Sequence, residues 1–261
     1  MALLHVEDMS LRFGGNAAVR SLSFSVEPGE ALGLIGPNGA GKTCVFNCIS
    51  GFYRPCAGSI VFGGRPLLPL RPDQRAALGL ARTFQNLRLF PQLSAEENVL
   101  SGTHCRTRAR LVSSLLRLPS QVREEREARA QSRYWLEFVG LTGEARRAAR
   151  TLPYGAQRRL EIARAMAVRP KLLLLDEPAA GLNIPEKIAL MHLIHRIREA
   201  GVTLLLIDHD MNLVMSIASR LIVLDHGEKL TEGAPDEVRR DPRVIEAYLG
   251  KDTDEDVESA P

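Results

Sequence analysis

An α/β fold, with strands and helices alternating around a mostly parallel sheet, is predicted for this chain by three observations. Continuous apolar runs recur at strand length (172–175 and 204–207), helical stretches alternate with them, and a glycine-rich loop stands between an apolar strand and a helix. A chain of 261 residues, 45% apolar and 25% charged, can close a sizeable core as one large domain or two modest ones. That composition excludes disorder of the whole chain. Four cysteines (Cys44, Cys48, Cys56 and Cys105) without CxxC spacing exclude a disulfide scaffold and fit a reducing compartment. The first ten residues have no basic segment leading into an apolar one, so no signal peptide is expected. No run reaches the roughly eighteen apolar residues that span a bilayer. Any membrane role would need other chains to bring this one there.

Taken in order, residues 3–7 and 21–26 alternate apolar and polar residues as half-buried strands do. Pro28-Gly29 makes a turn, and 31–35 is an apolar strand running into the glycine-rich loop. Residues 43–50 should be helical, stopping near Gly51, and 59–63 a strand closed by the Gly63-Gly64 turn. The character changes near Asn86, and 86–154 reads as a mostly helical subdomain inserted into the α/β core of 1–85 and 155–250. Within it, 122–139 is a helix with Glu125 and Arg129 as an i,i+4 pair, while Trp135 and Phe138 read as core.

Residues 160–168 continue the helical character, and past Arg169-Pro170 the alternation resumes. Residues 171–175 form a strand buried on both faces, as parallel strands are. Asn183 and Pro185 start a helix that Gly201 ends, with Ile188, Met191 and Ile194 as its apolar stripe. Residues 202–207 and 221–224 are strands, and 244–249 a short last helix. The tail 251–261 is acidic and expected to be disordered. Net charge is +3, yet 104–150 holds eleven Arg and no Lys against five Glu. A basic stretch of that kind is either a solvated helix face or a contact for an acidic lipid, a partner or nucleic acid.

Gly36-Pro37-Asn38-Gly39-Ala40-Gly41-Lys42-Thr43 is a complete P-loop pattern in the context the physics requires, after an apolar strand and before a helix. The glycines let successive backbone N–H groups turn toward phosphate oxygens, and the helix aims its positive end at the same charge. Lys42 is placed to reach the β and γ phosphates and the Thr43 hydroxyl to hold Mg²⁺. A second constellation is Leu172-Leu173-Leu174-Leu175-Asp176-Glu177-Pro178. Two adjacent carboxylates at the end of a buried strand are costly unless a cation stands there. Asp176 is then expected to serve the Mg²⁺ shell, and Glu177 to polarise a water for in-line attack on the γ-phosphate.

At these residues the sequence resembles the ATP-binding subunits of ABC transporters, over almost the whole chain from 6 to 250. The resemblance implies a P-loop NTPase core, a mostly parallel sheet with an N-terminal antiparallel β part, plus the inserted helical subdomain. It implies ATP and Mg²⁺ as ligands and hydrolysis as the activity. It assigns Phe13 to stacking on adenine, and Gln85, in Thr-Phe-Gln-Asn, to the metal, the attacking water and the face toward the membrane subunits. His209, in Leu-Ile-Asp-His-Asp, becomes the contact to the γ-phosphate, a task that suits an imidazole able to donate and accept.

The family signature, commonly Leu-Ser-Gly-Gly-Gln, is read by ATP held on the opposite subunit. Here it is Leu152-Pro153-Tyr154-Gly155-Ala156-Gln157, which leaves Gly155 and the helix behind it as phosphate donors in trans. Cys44 stands where a second Thr is frequent, Asp208 where Glu usually precedes the histidine, and Asn183 where many relatives have Asp.

Within the family the sequence most resembles the ATPase subunits of branched-chain amino-acid importers. The stretches that carry this are Arg-Phe-Gly-Gly near Phe13, Val-Phe-Asn-Cys after the P-loop, Arg-Thr-Phe-Gln-Asn-Leu-Arg-Leu-Phe around Gln85, and 154–183 with its Arg-Arg-Leu-Glu-Ile-Ala-Arg. The C-terminal Asp-Pro-Arg-Val-Ile-Glu-Ala-Tyr-Leu-Gly belongs with them. Importers of urea and short amides share much of the pattern. The resemblance implies integral-membrane permease subunits and a second ATPase chain, identical or different, as partners, with a solute-binding protein engaged indirectly. It also implies a peripheral place on the cytoplasmic face of the cell membrane. A soluble relative acting on nucleic acid or ribosomes is the rival. A single nucleotide module, no zinc pair and no long heptad run speak against it, so no nucleic-acid partner is expected.

Overall fold

The structure, a computed structural model, describes residues 1–103 and 119–255. Residues 104–118 of the Arg-rich stretch, Cys105 among them, and residues 256–261 of the acidic tail lie outside the described residues. Two sheets organise the described chain. The first is antiparallel, with β1 (Leu4–Phe13) between β2 (Asn16–Val26) and β4 (Ala57–Phe62), and β5 (Arg65–Pro66) at its edge. The second contains β3 (Ala31–Ile35), β6 (Leu80–Arg82), β7 (Leu172–Asp176), β8 (Thr203–Ile207), β9 (Arg220–Asp225) and β10 (Glu228–Gly233). Its order is β10-β9-β3-β8-β7-β6, parallel throughout except for β10.

β1 and β2 are longer than the alternation of apolar residues indicates, and the reason is local. Asp8 has a φ of 46° and Ser21 one of 42°, and the β1–β2 register shifts between Val6 and Met9. Such a bulge moves the next residues to the other face, so the period-two signal stops while the strand continues. Side-chain bonds hold it: the Asp8 amide donates to Ser23 Oγ at 2.8 Å and the Ser21 amide to Ser10 Oγ at 2.9 Å.

The parallel strands are apolar on both faces because each face meets a separate core. Leu172 and Leu174 point, with Leu32 and Leu34, into the core shared with the antiparallel sheet and with α1 (Lys42–Ser50). Leu173 and Leu175 point, with Ile35 and Leu206, into the core under the other helices. Those helices are α3 (Ala95–Thr103), α4 (Pro119–Phe138), α5 (Tyr154–Ala167), α6 (Ile184–Glu199), α7 (Met211–Ile217), α8 (Pro235–Arg240) and α9 (Pro242–Glu255), whereas α2 (Pro72–Ala77) is tied to α1 by Arg75, which donates to the Cys48 and Ile49 carbonyls. α5 packs against both α3 and α4. Trp135 is buried in the helical core, with Phe138 partly buried against it. Among the described residues no helix is long and apolar enough to cross a membrane.

Two expectations are corrected. The apolar stripe of α6 is Leu190, Leu193, Ile194 and Ile197, a run of i, i+3, i+4, i+7, whereas Ile188 is half exposed. The reading 188–191–194 steps by three and drifts off the buried face. The tail expected to be disordered from 251 is helical as far as Glu255, because α9 continues without a break.

Candidate functional site

The loop between β3 and α1 is shaped by two glycines that no other residue could replace. Gly36 has a φ of 147°, and a Cβ there would stand 2.1 Å from the Leu224 carbonyl oxygen on β9. Gly41 has a φ of 99°, and its Cβ would stand 2.5 Å from the Ala18 carbonyl oxygen on β2. The loop is thus threaded between two sheets, and Gly41 begins α1 with no side chain capping it. An uncapped helix start behind a glycine-rich loop is an anion site. Lys42 is buried, and its Nζ donates to the carbonyls of Gly36 at 2.6 Å and Pro37 at 2.9 Å. From α9, Tyr248 reaches the same loop: burial pushes its hydroxyl up, opposed by the Gly36 backbone.

A cleft of about 390 Å³ opens over this loop. Asn38, Gly39, Ala40, Gly41, Lys42 and Thr43 line it, together with Gln85, Glu177 and His209 from three other segments. The parallel order places these ends side by side, since β7 and β8 are neighbours with Asp176 opposite Ile207. Glu177 follows β7 with a φ of 45°, and its amide donates to Ile207 O at 2.8 Å. Its carboxylate is held at both oxygens, by Gln85 Nε2 at 3.0 Å on Oε2 and by His209 Nε2 at 3.0 Å from Oε1. A carboxylate fixed this way, facing a phosphate-sized cleft, can orient and deprotonate a water.

Asp176 is buried one residue earlier and pairs with Arg82 of β6, Oδ2 to Nη2 at 2.7 Å. Arg82 also donates to Asn47 Oδ1 and Ser50 Oγ, each at 2.7 Å, so it ties β7 to α1. Asp176 Oδ1 is buried without a partner. The orphaned carboxylate oxygen lies one residue before Glu177, outside the cleft lining, while the exposed Thr43 lines the cleft; a carboxylate and a hydroxyl are oxygen donors of the kind that suit Mg²⁺. Among the described residues no cluster of three or more His, Cys, Asp or Glu could hold a metal ion without other ligands.

The two loops behind Glu177 are clasped together. Buried Asp208 accepts the Ala179 amide at 3.1 Å and the Asp210 amide at 2.9 Å, and burial pushes its carboxyl above the ordinary value. Asp210 caps α7 through the Leu213 amide and pairs with Lys187 of α6 at 2.7 Å. A shorter Asp at position 208 therefore still spans both loops.

Phe13 stands at the end of β1, about half exposed and outside the lining of the cleft. Tyr53 meets it edge to face, with centroids 5.2 Å apart and planes at 77°. Gly155 is buried in the first turn of α5, away from its own chain's cleft, and a Cβ there would stand 2.4 Å from Glu186 Oε1. Pro153 offers α5 no side-chain cap. Sequence reasoning missed Arg82 and Tyr53, which lie outside the lining of the cleft, and the lining residues Asn16, Ala17, Ala18, Arg20 and His226. His226 had no motif to mark it; the turn from β9 to β10 brings it to the loop.

The sequence model described as ABC transporter matches residues 19–180. This chain belongs to the ABC transporter family. A second model, described as branched-chain amino acid ATP-binding cassette transporter, matches residues 228–254 of the cassette. The cassette is 48% identical over 250 residues to the high-affinity branched-chain amino acid transport ATP-binding protein BraF of Pseudomonas aeruginosa, covering 95% of this chain and 98% of that one. It is 47% identical to LivG of Escherichia coli K12, a protein of the same description, at the same coverage. A solved nucleotide-free ATP-binding cassette from an ABC transporter superposes with a TM-score of 0.83 at 28% identity, covering 95% of this chain and 99% of that one.

Proposed function

We propose that this cassette binds ATP over the P-loop, hydrolyses it with Glu177 as general base, and thereby energises a membrane importer of branched-chain amino acids. The observation that carries the reading is the Glu177 carboxylate, held by Gln85 and His209 at the mouth of the P-loop cleft. The solute class is supported by the descriptions of the relatives and by the match over the C-terminal segment.

In this mechanism Gly36, Pro37, Asn38, Gly39, Ala40 and Gly41 present backbone to the phosphates, and Lys42 turns from the Gly36 and Pro37 carbonyls toward the β and γ oxygens. Phe13, steadied by Tyr53, stacks on the adenine. Thr43, Asp176 and, through water, Gln85 would hold Mg²⁺, which offsets the charge building on the phosphate oxygens. Glu177 takes the proton of a water that Gln85 and His209 align with the γ-phosphate, and His209 stays within reach of the γ oxygens.

Two cassettes face head to tail, so that Gly155 and the uncapped start of α5 complete the site of the opposite chain. ATP binding energy then goes to the closed pair and hydrolysis releases it. A second groove, of about 290 Å³, is lined by Phe52, Leu80, Arg82, Phe84, Gly102 and Arg164 and is where a cytoplasmic helix of a permease would dock, on the inner face of the membrane. Solute-binding proteins act on the cassette only through that permease.

Light scattering of purified Glu177→Gln, with and without Mg-ATP, tests the core of this reading. An ATP-dependent doubling of mass is expected. A persistent monomer with ATP bound would refute closure by two identical chains. For the solute, uptake of labelled leucine by cells carrying the cassette and its permeases should stop in Glu177→Gln; uptake of urea alone would overturn the assignment.

A further inference from the structure

The short loop 84–88, which carries Gln85, is held by its backbone almost entirely from one row of α5. Arg158 Nη1 donates to the Phe84 carbonyl at 2.9 Å and Nη2 to the Gln85 carbonyl at 2.7 Å. One turn on, Glu161 Oε1 accepts the Arg88 amide at 3.3 Å, and a further turn on, Arg164 donates to the Arg88 carbonyl. Arg158 and Glu161 are buried, and Glu161 lies 3.7 Å from Arg158 and 3.8 Å from Arg164. Residues 158, 161 and 164 are spaced i, i+3, i+6 and form one rail.

The same guanidinium also receives the first turn of α5. Arg158 Nη2 donates to the Tyr154 hydroxyl at 2.8 Å, and the Tyr154 ring lies 5.3 Å from the guanidinium carbon. A Cβ at Gly181, in the loop after β7, would stand 3.0 Å from that ring. Arg158 Nε is buried with no partner. A planar fork spanning two successive carbonyls is what arginine supplies and lysine does not.

We infer that Arg158 is a positioning residue for hydrolysis: it fixes the 84–88 loop to α5, so that the reach of Gln85 to Glu177 is set by the helix that carries Gly155. This rests on the proposed roles of Gln85 and Glu177. A shift of α5 against the sheet carries the Gln85 backbone with it, and the 3.0 Å bond to Glu177 responds.

The test uses the full-length cassette. Mg-ATP affinity, kcat and amide exchange are measured for Arg158→Met, Arg158→Lys and the milder Tyr154→Phe, each also in a Gln85→Ala background. A misplacement of about 1 Å near reacting atoms costs about 10²-fold, so Arg158→Met should lower kcat by about 10–100-fold with Kd within about two-fold. Arg158→Lys should recover part of the loss, and Tyr154→Phe should fall between it and wild type. Amides 84–88 should exchange faster while those of 36–43 do not change. In Gln85→Ala, adding Arg158→Met should lower kcat no further, the non-additivity of coupled residues. The proposal is overturned by an equal loss in both backgrounds, or by unchanged exchange over 84–88. If Gln85→Ala turns over like wild type, the catalytic reading of Gln85 fails by itself, and the exchange data still decide whether Arg158 holds the loop.

Discussion

His209 Nε2 lies 3.0 Å from Glu177 Oε1 although the two residues come from different strand ends, 32 positions apart. With Gln85 on the other oxygen, the carboxylate has no freedom to rotate away from the cleft. Glu177→Gln keeps the shape of this arrangement and removes the proposed base. Phosphate release should fall by about 10²–10⁴-fold, the range for loss of a positioned general base, with ATP binding by equilibrium dialysis retained. Turnover within ten-fold of wild type would place the base elsewhere.

Arg82→Met should destabilise the fold more than it alters the cleft surface. It leaves Asp176 buried without its cation and deprives Asn47 and Ser50 of a donor. Removing one partner of a buried pair costs about 3–5 kcal/mol, which urea titration would read as a lower midpoint. A shift below about 1 kcal/mol would mean that the pair behaves as though it were at the surface.

Lys187 and Asp210 give a pH-dependent contribution with a defined sign. The Lys187 hydrogen bond holds the Asp210 carboxyl below its ordinary 3.8, so its share of stability is present above pH 3.8 and is lost as pH falls through the lowered value. Asp210 in turn raises Lys187 above its ordinary 10.5, so that share is present below pH 10.5 and is lost at still higher pH. Wild type should therefore melt above Lys187→Met at pH 7, and the two should converge under strong acid or base. A gap that persists in acid strong enough to protonate Asp210 in the folded state would assign the effect to packing.

Phe13→Ala should weaken ATP binding by about 1–3 kcal/mol, the value of one base stacked on an aromatic ring, and Phe13→Trp should retain it. Tyr53→Leu should have a smaller effect of the same sign, because it removes only the edge that orients the Phe13 ring. Equal affinity of wild type and Phe13→Ala for ATP and for inorganic triphosphate would exclude stacking.

The P-loop, Asp176 and Glu177 were legible in the sequence because contiguous residues carry their chemistry and the apolar runs before them fix their place at strand ends. Gln85 and His209 needed the family resemblance, since no local pattern marks them, yet the strand order brings both to Glu177. Arg82 was hidden because its partner is 94 positions away and the contact exists only when β6 lies beside β7. Asp8 and Ser21 hid the lengths of β1 and β2 by resetting the side-chain phase, which a period-two reading takes for a strand end. The row 158–161–164 lies in a stretch that carries the family resemblance, but its hydrogen bonds go to backbone groups, which a sequence does not display.

Glu177 adopts a backbone conformation that glycine or asparagine would occupy with less strain. Selection for solubility or heat resistance alone would therefore push this position toward Gly, and only selection for turnover would hold it as Glu. In a library of random variants sorted first for folding and then for phosphate release, codon 177 should move in opposite directions in the two sorts. Its drift would report, without any assay of transport, whether a lineage of such cassettes is still being used as a motor.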